Sequence, residues 1–138
     1  MTNSALRTEI AKLFPYVSAN IADRSYAVLT EESFLKTSKY MKWILRVFNI
    51  LGWSEKFDCD DFALLWKMLT SLRHAKSKGG ESEGVACGVI WYTRDSSGGG
   101  HAVNFVKTEN GWSAFEPQTG EFFELSQRER ESVCFVLF

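Results

Sequence analysis

Apolar residues recur at helical spacing through the first half of the chain and at every second position through the second half. Ser4 to Phe14 reads as a short amphipathic helix with Leu6, Ile10, Leu13 and Phe14 on one face and Pro15 behind it. A loop holding Asp23 and Tyr26-Ala27-Val28-Leu29 follows. Thr30 is a good N-cap, and Glu31 and Glu32 suit a first helical turn. The helix it starts is expected to run to about Leu51, since Phe34, Leu35, Met41, Ile44, Leu45 and Phe48 keep the helical period and Gly52 reads as the stop. Asp58 is the natural cap of a third helix reaching about Lys76, with Phe62, Leu65, Trp66, Leu69 and Leu72 as its buried stripe. Residues 76–83 read as a flexible connection.

Beyond that connection the period becomes two. Val85 to Thr93 reads as a strand, and Ser96-Ser97-Gly98-Gly99-Gly100 as a mobile loop expected to gate access to the residue after it. His101 to Lys107 is the next strand. Asn110-Gly111 is a hairpin signal that pairs it with Trp112 to Glu116. Pro117-Gln118-Thr119-Gly120 turns into Glu121 to Leu125, and Ser132 to Phe138 reads as a closing strand. Helices first and an antiparallel sheet afterwards predict an α+β fold, and no repeat or linker divides residues 1–138, so one domain is expected.

Composition narrows the function classes. With 45% hydrophobic and 24% charged residues the chain is an ordinary globular one, and at 138 residues it can bury a core without staples. A net charge of −1 gives no reason to expect nucleic-acid binding. No apolar stretch is long enough to span a bilayer, so no membrane partner is expected. Cys59, Cys87 and Cys134 are odd in number and lack zinc-ligand spacing. Cys87 and Cys134 lie in apolar strand-like runs and read as buried small hydrophobes. Free thiols behind an N-terminus without signal-peptide features make the cytoplasm the expected location.

One constellation reads as chemistry. Cys59 stands at the expected start of the third helix, where the helix terminus favours a thiolate. His101 opens a strand, and Glu116 ends the strand expected beside it. An imidazole can take a thiol proton, and a carboxylate can fix that imidazole's tautomer. Bland readings stand next to these: Asp58, Asp60 and Asp61 are an ordinary capping cluster, Glu116 a surface carboxylate, and His74 a solvated side chain near Arg73 and Lys76.

The segments Asp58-Cys59-Asp60-Asp61-Phe62-Ala63, Gly100-His101-Ala102-Val103-Asn104 and Glu116-Pro117-Gln118-Thr119-Gly120 resemble papain-like cysteine peptidases, among them transglutaminase-like bacterial and phage members and the cysteine-protease domain of a mushroom agglutinin. The resemblance covers roughly residues 20 to 125 and implies a papain-like fold, with the nucleophile helix packed on an antiparallel sheet. It implies Cys59 as nucleophile, His101 as base and then acid, and Glu116 as the residue orienting His101. The expected activity is then that of a thiol hydrolase or acyltransferase on peptide or amide bonds, passing through a thioester, with a peptide or protein as substrate. Some relatives need calcium, and Asp60, Asp61, Glu116 and Gln118 offer oxygen ligands of the right type. A competing expectation is a non-catalytic phage or bacterial binding or inhibitor protein that keeps this fold and meets a host protein through Trp53, Trp91 and Trp112.

Overall fold

The structure is a computed structural model that describes residues 1–77 and 83–138. Most of the connection expected over 76–83 therefore lies outside the described residues. In chain order the elements are α1 (Asn3–Leu13), β1 (Tyr26–Ala27), α2 (Glu31–Val47), α3 (Cys59–Ala75), β2 (Gly84–Val85), β3 (Cys87–Thr93), β4 (Gly100–Thr108), β5 (Gly111–Glu116), β6 (Glu121–Phe123), α4 (Gln127–Glu131) and β7 (Phe135–Leu137).

The helix starts follow their caps. Thr2 and Thr30 accept from the N–H groups of Ala5 and Ser33 (3.2 Å each), and the Asp58 N–H donates to Asp61 Oδ2 (3.2 Å) at the start of α3. The end of α2 comes four residues before the expected Leu51. Asn49 takes a left-handed φ of 56°, its N–H bonds Arg46 O (3.0 Å), and the Ile50 N–H reaches back to Leu45 O (2.8 Å). These two bonds form a Schellman motif, so asparagine rather than Gly52 supplies the stop.

Five strands form an antiparallel sheet in the order β6-β5-β4-β3-β7. The run expected as one strand from Val85 is split at Ala86. Val85 pairs instead with Ala27 in a two-stranded parallel sheet, β1 with β2, within a segment expected to be loop. Gly84 makes that approach possible, because a Cβ there would stand 2.2 Å from Asp23 Oδ2. At the C-terminus the strand expected over 132–138 is present as the shorter β7, preceded by the helix α4, which was not expected.

Two cores flank the large sheet. On one face Leu6 and Ile10 of α1 and its C-cap residue Phe14 pack with Ile90, Tyr92, Val103, Phe105, Val136 and Phe138. On the other, Phe62, Trp66 and Leu69 of α3 and Phe34, Met41 and Leu45 of α2 pack with Cys87, Val106 and Phe115. The period-two pleat thus sends Val103 and Phe105 of β4 to the α1 face and Asn104 and Val106 to the α3 face. Among the described residues no helix is long and apolar enough to cross a membrane.

Candidate functional site

Cys59 is the first residue of α3 and is partly exposed. His101 is the second residue of β4 and is buried, while Glu116 is the last of β5. The hairpin register places Asn104 opposite Phe115, which brings the end of β5 beside the start of β4. There His101 Nε2 lies 2.6 Å from Glu116 Oε2, with side-chain exposures of 5% and 15%. An ionised carboxylate can only accept, so Nε2 is the donor in this pair, and in the neutral imidazole Nδ1 is then the free acceptor. Glu116 Oε1 is held in turn by the Gln118 N–H (3.2 Å). Both carboxylate oxygens are thus engaged.

Cys59 and His101 line one cavity of about 300 Å³ together with Asp60, Trp91, Ala102 and Cys134. The thiol and the imidazole share this space without a hydrogen bond between them. His101 also lines a second, polar cleft of about 560 Å³, shared with Tyr92, Arg94, Thr119, Glu121 and Phe122. The imidazole is the seam between the two lobes. Burial, first of all, pushes the Tyr92 phenol up to about 12, so it stays a neutral hydroxyl in that cleft.

The oxygen donors expected for calcium are divided among separate tasks. Asp61 caps α3, Glu116 holds His101, and the Gln118 side chain borders a different cavity with Lys42, Leu45 and Phe62. The acidic groups that converge are Asp58 and Asp60, grouped with the Cys59 thiol within 4.8 Å. A hydrogen bond with the Asp58 carboxyl raises the pKa of Asp60 above the usual carboxylate range.

Two further expectations change. The 96–100 segment is a hydrogen-bonded turn rather than a loose gate. The Arg94 N–H bonds Gly99 O (3.0 Å), the Gly98 N–H bonds Arg94 O (2.8 Å), and Gly100 already belongs to β4. Of the tryptophans expected on a binding surface, Trp112 is engaged inside. It stacks on Phe105 (5.1 Å between centroids) and donates to Glu9 Oε2 (2.7 Å), while Trp53 and Trp91 remain exposed. Sequence reasoning also passed over Asn104, fully buried between α3 and the sheet. A polar residue in the middle of an apolar strand run was the available signal.

The family model for the Ricin-type beta-trefoil lectin C-terminal domain matches residues 6–136. A crystal structure of Polyporus squamosus lectin bound to the human-type influenza-binding epitope Neu5Aca2-6Galb1-4GlcNAc is similar over 100% of this chain and 49% of that one, with 22% identity and a TM-score of 0.72. A PSL1a-E64 complex is similar over 100% of this chain and 51% of that one, with 23% identity and the same TM-score. The chain thus spans about half the length of the solved structures it matches. No match was found among curated proteins.

These findings correct the peptidase reading. The resemblance to papain-like and transglutaminase-like cysteine peptidases rested on three short segments, whereas the lectin-domain match runs over nearly the whole chain. The papain-like fold label is replaced by that of this lectin domain, built here of helices and a five-stranded antiparallel sheet. The thiol hydrolase or acyltransferase assignment falls with it, as does the papain-like inhibitor alternative with its host-protein partner. The peptide or protein substrate expected with that activity is set aside as well; the epitope bound in the similar lectin is a carbohydrate. By its match over residues 6–136, the chain belongs to the Ricin-type beta-trefoil lectin C-terminal domain family.

Proposed function

We propose that this chain is a carbohydrate-directed domain of the lectin kind, with the two-lobed cavity joined at His101 as its ligand site. The observation that carries the reading is the family match over residues 6–136. The chemistry of the polar lobe supports it. Sugars present hydroxyls that both donate and accept, and ring faces that are apolar. Arg94, Ser96, Thr119 and Glu121 suit the first property, and Tyr92 and Phe122 the second. Three carboxylates, Glu116, Glu121 and Glu129, face one guanidinium, Arg94, in this lobe. That balance favours a neutral sugar over an acidic one. Titration calorimetry with Galβ1-4GlcNAc and with its sialylated form Neu5Acα2-6Galβ1-4GlcNAc is the test. Binding at about 1 mM or tighter, weakened in Arg94→Ala and Glu121→Ala, is expected. Absence of heat with every glycan tried, neutral or acidic, overturns the reading.

A specific observation favours a second property of the same cavity. A half-buried thiol at a helix start faces the space that also holds an imidazole clamped by a carboxylate. In this part of the proposal Cys59 is the reactive group, His101 its proton acceptor and Glu116 the group that orients His101. Iodoacetamide near neutral pH is expected to label Cys59 ahead of exposed Cys134. Buried Cys87, whose thiol is pushed up to about 12 by its burial, should remain unlabelled. His101→Ala should slow Cys59 by on the order of tenfold and leave Cys134 unchanged. E64 is a second probe, with Cys59→Ala as its control. Equal labelling of Cys59 and Cys134 removes the thiol from the account and leaves the glycan reading to its own test. The three free thiols support a reducing, cytoplasmic setting as part of the same proposal.

A further inference from the structure

We infer that Asn104 is a positioning residue for Cys59: it straps the first turns of α3 to the sheet and so sets how the thiol stands in its cavity. The inference rests on the reading of Cys59 as the reactive thiol. Asn104 sits in the middle of β4 and is fully buried. Its Nδ2 donates to Ala63 O (2.9 Å) and to Gly88 O (3.2 Å). One amide group therefore joins three elements, because Ala63 belongs to α3, Gly88 to β3 and Asn104 itself to β4.

The elements joined are those that carry the site. Ala63 follows Cys59 by four residues, so the anchored carbonyl lies about one helical turn along α3 from the thiol. Asn104 follows His101 by three residues on the same strand, and Ala102 between them lines the cavity that Cys59 enters. Apolar packing alone tolerates small slides of a helix over a sheet. Two directional hydrogen bonds from one rigid amide do not. Stability alone is a poor account of this residue, because Asn104 Oδ1 is buried without a protein partner. A leucine of similar shape would leave no such orphan acceptor.

The test uses Asn104→Leu, which fills the space without the strap, and Asn104→Ala, which leaves it open. Each is followed by thermal melting and by iodoacetamide labelling of Cys59 from pH 5 to 9, with Cys134 as reference in the same molecule. Expected is a folded Asn104→Leu chain in which the Cys59 to Cys134 rate ratio changes about tenfold and the Cys59 pH profile moves, while Cys134 is unaffected. An unchanged ratio and profile in folded Asn104→Leu overturns the strap, as does a change confined to Asn104→Ala, which would mark a cavity effect. Wild-type chain in which Cys59 labels no faster than Cys134 overturns the underlying reading and the strap with it. Amide hydrogen exchange in the wild type needs no variant: Phe62 to Trp66 should be protected as strongly as the centre of β4. Exchange there at the rate of a frayed helix end overturns the inference on its own.

Discussion

The two faces of the sheet are built from similar material and held in different ways. Each carries a chain of packed aromatics. On the α3 face Phe34, Trp66, Phe115 and Phe122 follow one another with centroid separations between 4.4 and 5.5 Å. On the α1 face Phe14, Phe105, Trp112 and Phe138 do the same between 4.9 and 5.7 Å. The α3 face, however, contains polar contacts in its interior. Trp66 Nε1 donates to Ser38 Oγ (2.9 Å), and Asn104 bonds the α3 backbone. On the α1 face the fully buried Tyr26 hydroxyl accepts from the Asp23 N–H at the end of its ring (2.9 Å), and at the rim Glu9 accepts from Lys107 and Trp112. Burial supplies most of the adhesion on both faces, whereas directional bonds supply register. Register is concentrated on the face that carries Cys59, which is where a fixed helix position matters.

The largest test of this contrast is Trp66→Ala, expected to cost about 3–5 kcal/mol because it removes the centre of the α3-face stack and leaves a cavity. The half-buried Trp112→Ala should cost clearly less in the same urea or thermal series. Equal losses would show that the two stacks share the load. Next in size is Gly88→Ala. Its Cβ would stand 2.7 Å from the Phe138 ring and 2.9 Å from Leu137 O, so the α1 face must give way. A loss of about 1–3 kcal/mol by chemical denaturation is expected. Neutrality would mean that the C-terminal segment is free to shift.

Ser38→Ala is smaller, about 1–2 kcal/mol, because it strands the buried indole N–H of Trp66. Loss of that bond without any change in stability would break the argument that this face is held by directional contacts. The smallest effect belongs to the rim. Hydrogen bonds from Lys107 and then Trp112 hold Glu9 below its ordinary carboxylate value. A depressed folded pKa contributes stability above the unfolded value and loses it as pH falls through the folded one. The melting difference between wild type and Glu9→Gln should therefore be full at pH 7 and shrink as pH falls below the ordinary carboxylate range. Since Glu9 is 37% exposed, solvent screening keeps the effect small. A difference that grows at low pH would refute the assignment.

Local features of the chain were legible where one residue decides one geometry. Thr30 and Asp58 start helices because their side chains suit the orphan N–H groups, and Asn110-Gly111 turns a hairpin because glycine accepts the φ of 120° found there. Ser126-Gln127-Arg128-Glu129 carried a capping box that announces α4, overlooked because the helix is too short to show a period. Asn49 as the stop of α2 was equally present and was masked by Gly52, the stronger propensity signal. The spacing of Cys59, His101 and Glu116 was readable too, but such spacing names a chemistry and not a family. The peptidase fold and activity drawn from it were overturned by a match that weighs nearly the whole chain.

By itself, then, the sequence determined the caps, turns and periods of its elements, since these depend on neighbours within a few positions. Only the tertiary structure decided that β1 pairs with β2, that β7 closes the edge beyond β3, and that Asn104 reaches across to Ala63. Each of these joins residues far apart in the chain. Their geometry is set by how two cores pack on one twisted sheet, and no window of local sequence contains that information.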